Sequence, residues 1–363
     1  MKYWRGYLTA ALLGLFTWAL REFAKGHSVL VDMIYPYVTR MAQSFLTDWS
    51  SSVPFCLWQV LLLILLALVI TTLVLMIVFK WNPIQWFGWV CATAALVIFL
   101  NFGIFGLNQF AGPLSEDVRL YETDYTVTEL ENAAAYYRDQ ANALSKQVPR
   151  DEIGNVIYDD FEILAAKAGD GFRSLVYDQS LSVFAGSIVP VKELGWANQF
   201  TSFGVTGVTV PITGEAAVNP QLPAVMLPFA MCQEMAHRMS IGIDRDASFA
   251  AYLACRTNSD IQFQYSGMLM SYRYCLEALK KLDLVTGAGS AGRVADKEDK
   301  YVTNDLKQCA QFFGKRALKD ADVCDLLTSW HIQEIVIPTL VVEEDSFNPM
   351  DKTQVDLSDH PNA

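Results

Sequence analysis

Five consecutive residues, Gln233 to His237, carry the side chains in this sequence best suited to chemistry. They read QEMAH, and residues four apart in a helix lie on one face, so Gln233 and His237 would point the same way. This is the spacing of the H-E-x-x-H motif, in which two imidazoles hold zinc and the glutamate activates a water molecule. Here glutamine replaces the first imidazole. On its own, Q-E-x-x-H is a weak signal, because helices contain it by chance.

A third candidate ligand, Asp244, follows in the same region. In an unbroken helix it would lie about 10 Å along the axis from His237, too far to share a metal ion. The segment 240–242 (Ser-Ile-Gly) can break the helix, so that a second helix folds back and brings Asp244 to the site. Asp244 is also a good N-cap for that second helix, and the residue types alone favour this structural role.

Three further residues are candidates for the wall of the same cleft, each with a structural alternative. Glu215 either lines the cleft or is a surface acid in a turn, and the surface turn is the better prediction. Tyr265 could donate a proton to a tetrahedral intermediate, but its helical spacing with Tyr272 favours packing. Asp246 lies two residues beyond Asp244. The cysteines are widely spaced and form no C-x-x-C, so neither a disulfide framework nor a cysteine zinc site is expected.

These candidates lie among predicted helices. Thr126 and Glu129 have the spacing of a capping box that opens a helix. Helices are also expected over 228–238, 244–256 and 268–282, whereas 202–219 is rich in Val, Thr and Gly and predicts short strands, with Pro211 keeping one strand at an edge. Residues 111–342 are therefore expected to form a mainly α domain with a small edge sheet, followed by an acidic, disordered tail at 343–363.

The first 110 residues predict a membrane anchor. The stretches 55–79 and 86–108 are long, apolar and uncharged, which is typical of transmembrane helices. A shorter apolar stretch, 6–20, is interpreted as a retained span, although a signal peptide has the same pattern. Between them, apolar residues recur at helical spacing over about 28–47, which indicates either an amphipathic helix in the membrane interface or a helix packed against the spans.

Charge is divided between the two parts. Residues 1–110 hold six basic and three acidic residues, and the rest of the chain holds 21 and 36. An acidic domain repels phosphate backbones, so nucleic acid is not expected as a partner, whereas the membrane is. The distribution of Lys and Arg favours an N-terminus inside the cell and a domain outside it, in a multi-pass protein of the cell membrane.

Two segments carry a resemblance to a known family: ITGEAAVNPQLPAVMLPFAMCQEMAHRMSIGIDRDASFAAYLAC and FQYSGMLMSYRYCLEAL. They resemble the core of an uncharacterised bacterial membrane family of zincin-like proteins with N-terminal spans, a TGEA-x-VN segment, an H-E-x-A-H helix, an E-x-x-A-N segment and a YSG helix. The resemblance covers roughly residues 1–282. It implies a zincin-like α+β domain with a gluzincin-like site, in which two histidines and a glutamate bind zinc.

Carried over to this chain, the resemblance makes Glu234 the general base and His237 a zinc ligand. Asp244 stands in place of the third ligand, Ser248 in place of the Asn, and Gln233 in place of the first histidine. A neutral amide is a poor zinc ligand beside an imidazole, and Asp is one methylene shorter than Glu. Zinc binding is therefore expected to be weakened or lost.

Three functions follow as hypotheses. The first is a degenerate metallopeptidase that keeps its fold and binds a peptide or a membrane partner in the old cleft. The second is an active metallopeptidase with altered ligands and Glu234 as the base, acting on a peptide or protein substrate. The third is a structural protein of membrane assembly.

Overall fold

The computed structural model describes residues 4–314 and 322–339. The chain is mainly helical with one small sheet. The acidic tail expected at 343–363 lies outside the described residues. Two helices, Leu57–Val78 and Pro83–Ile104, are long and apolar enough to cross a membrane.

Four long helices come first in the chain: α1 (Arg5–Gly26), α2 (Ser28–Ser50), α3 (Leu57–Val78) and α4 (Pro83–Ile104). The start of α4 follows from its sequence, because the Asn82 side chain accepts hydrogen bonds from the amides of Ile84 and Gln85 and Pro83 occupies the first turn. The expected span 86–108 is thus shifted: α4 ends at Ile104, and a short 3-10 helix, Gly106–Phe110, leads into the domain.

Helix α1 packs along α4. Gly6 and Gly88 let the two backbones approach so closely that a Cβ atom on Gly6 would lie 2.3 Å from the carbonyl carbon of Gly88. Further along, the rings of Phe16 and Phe99 are 5.5 Å apart. The stretch expected as the first span, 6–20, lies within this longer helix, which ends on the same side as α4.

Helix α2 presents its polar residues to the rest of the chain and its apolar residues outwards. Thr39, Gln43 and Thr47 are buried against the domain. The helix continues through Pro36 without interruption. The helix packs on the domain with one face and leaves an apolar face exposed. The predicted place of this helix in a membrane interface stays a prediction.

The domain is built from ten further helices in the described part of the chain. The helices are α5 (Leu114–Asp117), α6 (Val127–Leu144), α7 (Phe161–Tyr177), α8 (Ala197–Ser202), α9 (Leu227–Arg238), α10 (Asp244–Thr257), α11 (Ile261–Thr286), α12 (Ser290–Ala295), α13 (Lys300–Phe313) and α14 (Val323–His331), after which Ile332–Val336 forms a π-helical turn. The core of the domain lies between α6, α7, α9, α10 and α11, and the capping box of Thr126 and Glu129 opens α6 with both of its hydrogen bonds.

The sheet has the order β1-β3-β2, with β1 (Lys192–Glu193) parallel and β2 (Gly207–Val210) antiparallel to the central strand β3 (Glu215–Val218). Strand β2 is therefore an edge strand, as expected for this region. Pro211 lies in the tight turn after β2 rather than in the strand itself. One face of this sheet packs on α9, the helix that contains QEMAH.

Candidate functional site

The turn between α9 and α10 brings the candidate residues together. After His237 the helix ends with the Ile241 amide bonded back to the Ala236 carbonyl at 3.2 Å, and Ser240 adopts a left-handed backbone with φ of 74°. This reverses the chain within a few residues, as the predicted break required. Asp244 becomes the first residue of α10, while Ile243 occupies the N-cap position. The N-cap prediction for Asp244 is therefore wrong by one residue.

His237 is fixed at both ring nitrogens. Its Nδ1 lies 2.8 Å from the carbonyl oxygen of Ile241, and its Nε2 lies 3.3 Å from Oδ1 of Asp244. A carbonyl only accepts, so Nδ1 carries a proton. Burial lowers the pKa of the imidazole, but the bond to Asp244, the nearby charge of Glu234 and the Ile241 carbonyl together raise it above its ordinary value. The site thus favours an imidazolium paired with a carboxylate.

Gln233 also forms a hydrogen bond, on the same face of α9. Its Nε2 donates to Oγ of Ser248 at 3.1 Å, across the gap between α9 and α10. The two positions that the family pattern reserves for a histidine ligand and an asparagine are therefore bonded directly to one another.

Glu234 contacts a different neighbour of α9, the edge strand β2. The hydroxyl of Thr209 donates to its Oε2 at 2.7 Å and lies 3.0 Å from its backbone carbonyl oxygen. Burial raises the pKa of the carboxyl group, while His237 and the Thr209 bond oppose this effect. A buried carboxylate with a raised pKa binds a proton more tightly than a solvated one does, which is the property of a general base.

Sequence reasoning missed two residues of β2 that shape this site. Thr209 is one, and Gly207 is the other, because a Cβ atom there would lie 2.6 Å from Oε1 of Glu234. The only signal in the sequence was the position of a Gly- and Thr-containing edge strand shortly before the helix, and it does not specify which strand residue meets Glu234.

The donor set does not fit a zincin-type zinc site. It offers one imidazole, one carboxylate of the shorter type and one neutral amide, where such a site uses three strong protein ligands. Within residues 4–314 and 322–339, no group of three or more His, Cys, Asp and Glu side chains is placed to hold a metal ion. Gln233 and His237 are instead bonded to Ser248 and Asp244.

The remaining candidates lie in other contacts. Glu215, expected at the surface, is buried, where it pairs with Lys192 at 2.7 Å and accepts the amides of Leu57 and Trp58 at the start of α3. Its surface-turn prediction is wrong because β3 is the central strand of the sheet.

Asp246 and Tyr265 are also buried. The Asp246 carboxylate accepts the Leu114 amide at 2.9 Å and pairs with Arg245 at 3.1 Å, so it fixes the entry of the chain into the domain. The Tyr265 hydroxyl donates to Asp305 at 2.5 Å, in a core network with Arg150. The packing role that was favoured for Tyr265 is confirmed.

Comparison with known proteins identifies a family and no closer relative. The profile of a family described as a protein of unknown function (DUF3810) matches residues 31–325. The chain belongs to this family. The match begins within α2 and ends within α14, and therefore includes the apolar helices α3 and α4 as well as the helices of the candidate site. No curated protein and no solved structure matches this DUF3810 member.

Proposed function

We propose that this DUF3810 member is a membrane-anchored, zincin-like pseudo-metallopeptidase that binds a polypeptide along the outer edge of β2, beside α9. The observation that carries the proposal is the pairing of the ligand positions: Gln233 with Ser248, and His237 with Asp244. Groups that once held a metal would be left unpaired and buried without it, at a cost of about 1–3 kcal/mol each. Mutual pairing removes that cost.

The edge strand supports peptide binding as the retained activity. Strand β2 ends the sheet on the side of Glu234, and its outward backbone groups can pair with an extended segment of another chain. Gly207 and Thr209 keep this strand close to α9. A polypeptide bound there would lie over the former catalytic glutamate without being cleaved.

The anchor supports a place in the cell membrane. We propose that α1 crosses the bilayer beside α4, in addition to α3 and α4, and that the domain lies outside the cell. The close Gly6–Gly88 contact supports the third span, because small residues allow membrane helices to pack closely.

The test is the metal content of the purified full-length protein in detergent, beside Gln233→His and the matched variant Gln233→Ala. We expect no stoichiometric zinc in the natural protein or in Gln233→Ala, and a marked gain in Gln233→His. Adding His237→Ala to Gln233→His should remove that gain, which would locate the metal at this site.

Stoichiometric zinc in the natural protein that is lost in His237→Ala would overturn the proposal. It would favour an active metallopeptidase, which peptide hydrolysis abolished by Glu234→Gln would then establish. One observation favours this second candidate: the Nδ1 atom of His237 is bonded to a carbonyl, which orients Nε2 in the way that metal-bound histidines are oriented.

A further inference from the structure

The turn that carries the candidate site is held by the membrane anchor. The Thr39 hydroxyl on α2 donates to Oγ of Ser240 at 2.9 Å, and Nε of Arg40 donates to the Met239 carbonyl at 3.2 Å. These residues follow His237 directly in the chain. Helix α2 thus contacts the end of the site helix itself.

A second contact comes from the exit of α4. Gly242 approaches the chain there so closely that a Cβ atom on it would lie 2.8 Å from the backbone carbon of Asn108 and 2.9 Å from the Gln109 nitrogen. Asn108 is buried and lies shortly beyond the last residue of α4, Ile104. The turn that places Asp244 on His237 therefore rests on the point where the chain leaves α4.

The sheet connects the site to α3. Its face towards α9 carries Thr209, whereas on its other face Leu194 and Ala217 pack with Cys56 and Trp58 at the start of α3. Gln59 and Gly195 exchange hydrogen bonds there at 2.9 and 3.1 Å. Only one sheet layer, about 10 Å, separates Glu234 from the first turn of α3.

The outer face of α2 is apolar and exposed along its whole length. Helix α2 touches the last turn of α4, where the Tyr35 hydroxyl donates to the Gly103 carbonyl at 2.7 Å, so the bilayer that receives α4 also covers α2. With its polar side on the domain and its apolar side outwards, α2 lies in the interface. The exposed residues are Val29, Leu30, Met33, Ile34, Tyr37, Val38, Met41, Phe45 and Trp49.

We propose that the polypeptide bound at the site is a juxtamembrane segment of a protein anchored in the same bilayer. Contacts from α2, α3 and α4 place the site within about one helix diameter, 10–12 Å, of the interface. An extended segment that leaves the bilayer beside α2 passes through that space. The inference rests on the proposed peptide-binding function and names its partner.

Phe203 gives a position from which to test the partner. It lies between α8 and β2 and is 75% exposed. Trp196, directly before α8, packs edge-on against Trp58 of α3, with the ring centroids 6.5 Å apart. The full-length protein with a photo-reactive benzoylphenylalanine at Phe203 is reconstituted in phosphatidylcholine vesicles. The matched control carries the same group at Leu284, which is 87% exposed on α11.

The probe is a library of randomised tails of about ten residues, which reach about 33 Å when extended. One half is attached to a single Leu/Ala transmembrane helix, and the other half is free in solution at the same total concentration. We expect capture at position 203 to be at least tenfold greater for anchored than for free tails, since tethering raises the effective concentration by about 10²–10⁴. At position 284 neither half should be enriched.

Three other outcomes would be decisive. Equal capture of free and anchored tails at position 203 would overturn the inference while leaving peptide binding in place. Capture of neither would remove the proposed function and the inference together. Enrichment of anchored tails at both positions would show that membrane attachment alone, and not the site, produces the effect, and would also overturn the inference.

Discussion

Nε2 of His237 and Oδ1 of Asp244 lie 3.3 Å apart and close the turn between α9 and α10. The pairing explains why the pKa of His237 is raised although burial alone would lower it. A group whose folded pKa is raised contributes stability that is complete below its unfolded pKa, about 6.5, and is lost as pH rises through the folded value. The pair therefore stabilises the domain in mildly acidic rather than alkaline solution.

We expect Asp244→Asn to lower the pKa of His237 and to flatten the fall in stability above about pH 6.5. The effect should be at most about 1 kcal/mol, because the Asp244 side chain is 60% exposed and solvent screens the pair. Thermal unfolding of the full-length protein in detergent across this pH range measures it. Asp139→Asn is the matched control, since Asp139 is 61% exposed and pairs with an arginine, Arg138, rather than with a histidine. Identical curves for Asp244→Asn and the natural protein would contradict the pairing.

The contribution of Glu234 to the pH dependence of folding stability has the opposite sign from that of an ordinary surface acid. Because burial raises its pKa, the folded protein binds a proton more tightly than the unfolded chain does, and stability falls as pH rises from about 4.3 through the folded pKa. Glu234→Gln removes this loss and keeps an acceptor for Thr209. We expect Glu234→Gln to be more stable at neutral pH by an amount on the order of 1 kcal/mol.

The measurement is chemical denaturation at acidic and neutral pH, with Glu277→Gln, an exposed pair partner of Lys280, as the control. The gain in stability of Glu234→Gln should be confined to neutral pH. A Glu234→Gln protein that is less stable at neutral pH would show that the ionised carboxylate is stabilising, which would argue for a cation at the site.

Much of this arrangement could be predicted locally. The helix of QEMAH, the break before Asp244 and the capping box at Thr126 depend on neighbouring residues, so their sequence signals are direct. The two helices apolar enough to cross a membrane, α3 and α4, were evident from length and hydropathy, although α4 ends at Ile104 because the next residues turn into the domain.

The partners across the fold could not be predicted in the same way. That Thr209 bonds to Glu234, or that Glu215 lies under α3 instead of at a surface turn, depends on which strand is central and on how the anchor docks. The spacing of neighbouring residues determines neither the central strand nor this docking. The same holds for α2, because the role of its buried polar residues is clear only from their contacts with Ser240 and Gly214.

Glu215 should be the most sensitive charge in the anchor contact. Its side chain is fully buried with Lys192 and accepts two backbone amides at the start of α3, at 2.7 and 2.8 Å. Glu215→Ala leaves Lys192 without its buried partner, and such a loss costs about 3–5 kcal/mol. Adding Lys192→Met should recover part of that loss.

Equilibrium unfolding in detergent measures this difference. Glu131→Ala is the matched control, because Glu131 also pairs at 2.6 Å but its partner Arg293 is 57% exposed, so its loss should cost under about 1 kcal/mol. Similar effects of the two alanine variants would mean that the anchor contact contributes no more than a surface pair.

The contact of α1 with α4 is testable through two glycines of the same helix. A Cβ atom on Gly6 would meet the Gly88 backbone at 2.3 Å, whereas one on Gly14 would have no neighbour within 4 Å. Gly6→Ala must therefore push the helices apart, and Gly14→Ala should leave them in place. Because van der Waals packing holds membrane helices together, the separation weakens the whole pair.

The readout is a disulfide between cysteines that replace Phe16 and Phe99, whose rings are 5.5 Å apart. Mild oxidation should cross-link them in the natural background and in Gly14→Ala, and several-fold less in Gly6→Ala. Each single-cysteine variant controls for reaction with Cys91 of α4. Equal yields in both glycine variants would mean that α1 does not depend on this contact, and the proposed third membrane helix would lose its support.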